Sequence, residues 1–193
     1  MLLKRKYYYI IYEKVQSGGR GLGYFKENNF KGGVQVVNTI QEVKDVIPKM
    51  YNKTLVTKQT GDGGLKCRAL YIVEKVDIKE EKYLSITLDR KSGGPIFFAS
   101  AVGGVNIEET SAKNPNAIKF MPININKGLT DDMAIEYSKS LGFTGNQVGQ
   151  AKEIFKKLYQ FFIEKDALMV EINPLATLQD GTVMVLDSKV NVF

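Results

Sequence analysis

The chain has 193 residues, 44% of them hydrophobic and 25% charged, which are ordinary proportions for a globular protein and enough length for one core or two small lobes. It contains no histidine and a single cysteine, Cys67, so it supplies no imidazole base, nucleophile or metal ligand and no internal disulfide, and it suits a reducing compartment. The formal charge of +6 comes from scattered lysines and arginines, which reads as attraction for anionic molecules and disfavours a nucleic-acid partner.

The N-terminal segment, MLLKRKYYYIIYEK, places basic residues before a Tyr/Ile run. The run is too short to span a membrane, and the segment lacks the Ser- and Arg-rich amphipathic character of a mitochondrial presequence. Its β-branched and aromatic residues predict a strand over YYYIIY. A glycine-rich stretch, VQSGGRGLGYF, follows at residues 15–25. FKGGVQVVN then reads as a Gly-Gly turn entering a strand. Asn38 opens a capping pattern with Gln41 at the third helical position. Ile40, Val43, Val46, Ile47 and Met50 recur at three- and four-residue steps, which predicts an amphipathic helix.

KTLVTKQT and RALYIVEKV read as strands around the GDGG turn at residues 61–64, and KYLSITLDR with PIFFASA as a second pair joined by KSGG. A helix is expected from near Thr130, with Asp131 and Asp132 at its positive end. Another is expected over residues 147–165, with Ala151, Ile154, Phe155, Leu158, Phe161 and Phe162 forming a core-facing stripe.

The last 27 residues, ALMVEINPLATLQDGTVMVLDSKVNVF, predict a hairpin around Asp180 and Gly181. If Thr177 faces Val183, Asn173 lies opposite Asp187 and Glu171 opposite Lys189. Alternation then puts these four on one face, with Val170, Ile172, Leu186 and Val190 on the other. A one-residue slip would separate Asn173 from Asp187. Two readings fit that face: oxygen donors for a nucleotide-bound Mg²⁺, which keeps waters and phosphate ligands, or a solvated face with a cross-strand Glu–Lys pair. The stretch GGRGLG matches neither a P-loop nor a dinucleotide fingerprint. It reads equally as a phosphate-cradling loop, in which Arg20 adds a charged fork, or as a hairpin tip.

Several segments together resemble the ATP-grasp part of the succinate–CoA ligase (succinyl-CoA synthetase) beta subunit: SGGRGLGYF, FKGGVQVV, LVTKQT, DIKEEKYLSITLDRKSGGPIFFASAVGGVNIEE, LGF and VEINPLATLQDGTVMVLDSKVN. EINPL followed by LDSK is the most specific of these. The resemblance implies an α+β, ATP-grasp-like fold of mostly antiparallel strands with flanking helices. It favours the Mg²⁺ reading of the hairpin face.

In that family a nucleotide, ATP or GTP, gives its γ-phosphoryl to a histidine of a separate alpha subunit, on the way between succinate and succinyl-CoA. The resemblance carries roles onto matching positions. Gly19, Arg20 and Gly21 match the phosphate-contacting GRG. Glu74 matches a hinge-strand glutamate that meets the nucleotide, and Glu81 a second nucleotide-binding glutamate. Asn173 and Asp187 match the Mg²⁺ ligands, and Glu171 matches a carboxylate facing the partner's histidine. The family's alpha–beta assembly and its mitochondrial matrix location, or bacterial cytoplasm, come with the same resemblance.

Two departures accompany it. The family enters the glycine loop with a Lys-x-Gln strand whose lysine grips phosphate, whereas here the nearby lysine is Lys14, two residues too close to Gly18. The match leaves residues 1–14 as a divergent segment and 15–193 as the nucleotide-binding domain, without a carboxy-terminal CoA-ligase domain. The alternatives are a non-catalytic, truncated ATP-grasp module and a relative acting on malate or citrate.

Overall fold

The structure, a computed structural model, describes residues 9–13, 20–103, 107, 111–112 and 114–192. It divides in sequence between Val76 and Asp77 into two compact units.

The first unit contains β1 (Tyr9–Glu13), β2 (Tyr24–Phe25), β3 (Val34–Val37), α1 (Ile40–Met50), β4 (Thr54–Val56), β5 (Leu65–Lys66) and β6 (Leu70–Glu74). The expected Tyr/Ile strand is present as β1. Although it lies within the segment set apart as divergent, it is the central strand of an antiparallel sheet ordered β3-β1-β6, with Ile10 paired to both Val36 and Val73. A second small sheet runs β2-β4-β5.

Helix α1 forms where the apolar periodicity predicts, but its cap is one residue later than expected. Thr39, not Asn38, is the N-cap: its Oγ1 accepts from the Glu42 N–H at 3.1 Å. The Glu42 carboxylate reaches back to the Asn38 N–H at 2.8 Å. Glu42 therefore plays the reciprocal part assigned above to Gln41, because its charge binds the backbone donor more strongly than an amide would. Val43 and Met50 are buried with Phe25, Val37, Leu55 and Cys67, while Ile40 is 62% exposed at the helix start.

The second unit contains β7 (Ile78–Asp89), β8 (Gly94–Ser100), β9 (Ile118–Pro122), α2 (Asp131–Ser140), α3 (Asn146–Glu164), β10 (Ala167–Leu178), β11 (Val183–Val185) and β12 (Ser188–Val192). Six strands form one antiparallel sheet ordered β11-β10-β7-β8-β9, with β12 also paired to β10. Thr130 caps α2 by accepting from the Met133 N–H, with Asp131 and Asp132 in the first turn as expected.

Helices α2 and α3 cover one face of this sheet. Leu84 and Ile86 of β7, Phe97 and Ala99 of β8, and Val170 and Ile172 of β10 meet Ala151, Phe155, Leu158 and Phe162 there. The Phe97 and Phe155 rings pack edge to face at 5.0 Å, which adds to burial an oriented contact. Within the expected α3 stripe, Phe161 turns partly outward at 37% exposure.

This layering decides where chemistry can sit. Side chains alternate along a strand, so the residues between the core positions, including Glu81, Ser85 and Glu171, belong to the sheet's other face. That face is mixed: Tyr83, Phe98, Phe120 and Met169 lie on it beside Ser85 and Thr87.

Candidate functional site

The terminal hairpin adopts the register expected from its turn. Gly181 takes φ +85, and the Leu178 N–H donates to Thr182 O at 2.8 Å. Thr177 pairs with Val183, Glu171 with Lys189 and Ile172 with Ser188. Between these pairs the Asn173 N–H donates to Asp187 O at 3.2 Å and the Leu186 N–H to Pro174 O at 3.2 Å. Asn173 and Asp187 are thus direct neighbours across the hairpin, and both are half-buried.

Two details differ from expectation. Val190 is 42% exposed, unlike the buried Val170 and Ile172 expected on the same face, because β12 is an edge strand and its residues are exposed throughout. Glu171 and Lys189 are register partners without forming an ion pair or hydrogen bond with each other. The Glu171 carboxylate is therefore not neutralised by the lysine opposite.

On its other side β10 pairs with β7, and there the ladder slips by one residue. Ile172 faces Leu84 while Leu175 faces Lys82, so Asn173 and Pro174 together oppose Tyr83. A bulge of this kind re-aims side chains locally and is common beside functional sites. Asn173 is one of the two bulged residues, and the Asn173–Pro174 peptide is cis.

The donors available at this point are the Asn173 amide oxygen and the Asp187 carboxylate, whose Oδ1 also accepts from the Ser188 N–H at 2.9 Å. Among the described residues no group of three Asp, Glu, Cys or His could enclose a metal. A pair of hard oxygen ligands with one formal charge fits Mg²⁺, which retains waters and takes further ligands from phosphate, and is too sparse for a closed all-protein site.

Glu81 lies on the same sheet, in β7 opposite Ala176, and is half-buried. Its carbonyl accepts from the Gly103 N–H at 2.8 Å. A Cβ at Gly103 would lie 2.3 Å from Lys82 C and O, so only glycine allows the chain after β8 to close on β7 beside Glu81.

The next residue was invisible to sequence reasoning as anything special. Lys82 is the one charged side chain among the buried described residues, at 4% exposure. Its Nζ lies 3.0 Å from Glu80 Oε2 and 5.1 Å from the centre of the Phe143 ring. The hydrogen bond and the charge of Lys82 hold the Glu80 carboxyl below its ordinary range. The Glu-Glu-Lys run at residues 80–82 reads in sequence as a solvated face. The signal that it is not one is its position inside the long apolar alternation of β7.

The remaining candidates belong to the first unit. Arg20 and Gly21 sit in a single 3₁₀ turn, Arg20–Leu22. The Gly23 and Gly33 N–H groups both donate to Arg20 O, at 3.2 and 2.8 Å, and the Gly32 N–H donates to Gly23 O at 2.8 Å. These three amides serve the loop's own architecture, so they are not the cradle for an anion. Glu74 is the exposed last residue of β6, opposite Tyr9, on a different sheet from the turn. Gly19 and Lys14 lie outside the described residues. The structure therefore gathers Glu81, Glu171, Asn173 and Asp187 on one sheet of the second unit, and holds Arg20, Gly21 and Glu74 on two elements of the first.

Antiparallel sheets, the larger of them covered on one face by helices, define an α+β protein. The family model for the ATP-grasp domain matches residues 3–177, and the chain belongs to that family. It is 46% identical over 180 residues to the hydrogenosomal succinate–CoA ligase [ADP-forming] subunit beta of Neocallimastix frontalis, covering 93% of this chain and 41% of that protein. It is 45% identical over 181 residues to the mitochondrial ADP-forming subunit of Caenorhabditis elegans, covering 94% and 41%. Against the mitochondrial GDP-forming subunit of Dictyostelium discoideum it is 42% identical over 182 residues, covering 94% and 43%. The chain thus spans about two fifths of the length of the curated relatives it matches. Among solved structures, ATP citrate lyase from Methanothrix soehngenii superposes with a TM-score of 0.69 at 20% identity, over 94% of this chain and 38% of that one. At that identity the likeness is one of fold.

Proposed function

We propose that this chain is the nucleotide-binding part of a succinate–CoA ligase beta subunit. It binds ATP or GTP with Mg²⁺ and presents the γ-phosphoryl group to a histidine of an alpha subunit, in the interconversion of succinate and succinyl-CoA. The observation that carries this reading is 46% identity over 180 residues to one such beta subunit, in a chain whose hairpin register makes Asn173 and Asp187 neighbours. The mitochondrial and hydrogenosomal names of the relatives favour a mitochondrial matrix location.

The residues divide the work by chemistry. Phosphoryl transfer demands positioning and charge neutralisation more than covalent help from the protein. Asn173 and Asp187 hold Mg²⁺, which when bound neutralises phosphate charge. Arg20, with Gly19 and Gly21, grips the phosphate oxygens through its fork of donors. Glu74 and Glu81 accept hydrogen bonds from the nucleoside. Glu171, which has no ion-pair partner at its register position, accepts a hydrogen bond from one ring N–H of the partner's histidine. That leaves the other ring nitrogen unprotonated, and it attacks phosphorus as the bond to the β-phosphate oxygen breaks. The absence of histidine from this chain agrees with an acceptor on another polypeptide.

The test is incubation of the chain with γ-labelled ATP or GTP and a succinate–CoA ligase alpha subunit. Mg²⁺-dependent nucleotide binding and label on the alpha subunit are expected, and Glu171→Gln is expected to lower the labelling while leaving nucleotide binding unchanged. A chain that binds no nucleotide in the presence of Mg²⁺ overturns the reading.

A further inference from the structure

The lysine nearest the glycine loop on its upstream side is Lys14, offset by two residues from the family's spacing, and a second cation stands on the loop's other side. A cavity of about 470 Å³ opens between residues 21–24 and a second wall made of Asn29, Lys31 and Gly32. The two walls are tied together. Lys31 forms an antiparallel bridge with Tyr24, the Phe25 N–H donates to Phe30 O at 2.8 Å, and the Gly32 N–H donates to Gly23 O at 2.8 Å. Gln35 Nε2 donates to the carbonyls of both Lys31 and Gly32, at 2.7 and 2.9 Å. Gly32 takes φ +83, and a Cβ there would meet Gln35 Nε2 at 2.9 Å, so glycine is required directly after Lys31.

The backbone of Lys31 is therefore fixed at several points, while its side chain is exposed and has no ion-pair or hydrogen-bond partner among the described residues. Opposite it, a Cβ added at Gly21 would meet nothing within 4 Å. A cation on a fixed backbone thus lines the same cavity as an open glycine turn that also carries Arg20. Such a lysine is a point charge on a flexible stem, able to follow phosphate oxygens that a turn alone cannot hold.

We infer that Lys31 is a second phosphate-gripping cation of this chain, acting with Arg20 on the polyphosphate of the nucleotide held at the residue 20–22 turn. The inference rests on the proposed nucleotide-binding function and adds a residue to it. A Mg²⁺-bound nucleoside triphosphate carries about two negative charges, and catalysis of its transfer depends on neutralising them. Arg20 and Lys31 supply two positive charges from one structural unit. The KGG run that reads in sequence as a plain turn into a strand then has a ligand-facing purpose.

Calorimetry on the 193-residue chain tests this with ATP plus Mg²⁺, adenosine and inorganic tripolyphosphate as probes. Lys31→Gln is expected to weaken ATP and tripolyphosphate binding by about tenfold or more, the usual worth of a charge-assisted hydrogen bond, and to leave adenosine binding and the thermal midpoint unchanged. Lys31→Arg should recover most of the loss. Lys44→Gln, an equal change in net charge on the exposed side of α1, should have no effect. Wild-type ATP affinity in Lys31→Gln, alongside a loss in Arg20→Ala, overturns the role of Lys31 and leaves the nucleotide reading standing. Equal losses in Lys31→Gln and Lys44→Gln, or an equal loss for adenosine, also overturn it. A wild-type chain that binds neither ATP nor tripolyphosphate overturns both.

Discussion

Asn173 and Asp187 face each other across the terminal hairpin, joined by a 3.2 Å hydrogen bond from the Asn173 N–H to the Asp187 carbonyl. The bond joins backbone groups, and the two side chains, an amide and a carboxylate, share one register position. Asp187 contributes the only formal charge of the pair. Asp187→Ala is therefore expected to abolish most of the Mg²⁺-dependent gain in nucleotide affinity, while nucleotide binding without metal changes little. Asn173→Ala should lose less, because it removes a neutral ligand. Titration calorimetry at several Mg²⁺ concentrations reads this directly, and equal Mg²⁺ dependence in wild type and Asp187→Ala counts against the metal assignment.

Glycine at 21 and glycine at 23 are present for different reasons. A Cβ at Gly23 would lie 2.6 Å from the Val56 carbonyl oxygen, whereas one at Gly21 would touch nothing within 4 Å. Gly23→Ala is expected to destabilise the fold by about 1–3 kcal/mol through overpacking. Gly21→Ala should change stability by no more than about 0.5 kcal/mol, yet weaken nucleotide binding, because the added methyl occupies space that the phosphates approach. Thermal unfolding and binding measured on both variants separate the two effects. Unchanged nucleotide affinity in Gly21→Ala would remove the turn from the phosphate site.

The same hairpin marks how far sequence alone reaches. The glycine after Asp180 and the strict alternation around it leave one sensible register, so the neighbours Asn173 and Asp187 could be read in advance. The antiparallel α+β fold and the helices α1, α2 and α3 were legible for a similar reason: their apolar periodicity is strong. The cap of α1 was missed by one residue, because Asn38 and Thr39 are both good caps and only the partner Glu42 decides between them. The bulge at Asn173–Pro174 was not legible, since it depends on pairing with β7, about 90 residues away in sequence. Nor was the burial of Lys82 or the internal use of the Gly23, Gly32 and Gly33 amides, because both arise from contacts between distant segments. The division at Val76/Asp77 has no glycine- or proline-rich linker to announce it.

Glu80 and Lys82 give the second unit a specific acid sensitivity. The Glu80 carboxyl is held below its ordinary range by the hydrogen bond and charge of Lys82. A carboxylate whose folded pKa is depressed stabilises the fold above its unfolded pKa, and that stability is lost as pH falls through the folded value. Glu80→Gln should therefore be less stable than wild type at pH 7, and the gap should close in acid as Glu80 of the wild type protonates. Because the Glu80 side chain is 49% exposed, solvent screening limits the gap to about 1 kcal/mol. Urea unfolding from pH 7 down through the glutamate range measures it. A gap that stays constant with pH would show that the pair acts through packing alone.

The last expectation concerns what the chain does with a bound phosphoryl group when no partner is present. A covalent phosphohistidine needs an imidazole, and the 193 residues contain none. Cys67 is fully buried and so cannot meet a nucleotide in water. Glu171 stands on the sheet face opposite the helices and has no ion-pair partner among the described residues, but in the proposed reaction its carboxylate accepts a hydrogen bond and does not attack phosphorus. The group should thus stay on the nucleotide, held by Arg20 and the metal ligands. Incubation of the pure chain with γ-labelled nucleotide and Mg²⁺ is expected to leave no label on protein after acid or neutral denaturation. Addition of an alpha subunit should produce label on that subunit, stable in base and lost in acid, as a phosphorus–nitrogen bond requires. Stable label on the 193-residue chain itself would overturn this division of labour, since it would demand a nucleophile among residues assigned here to binding.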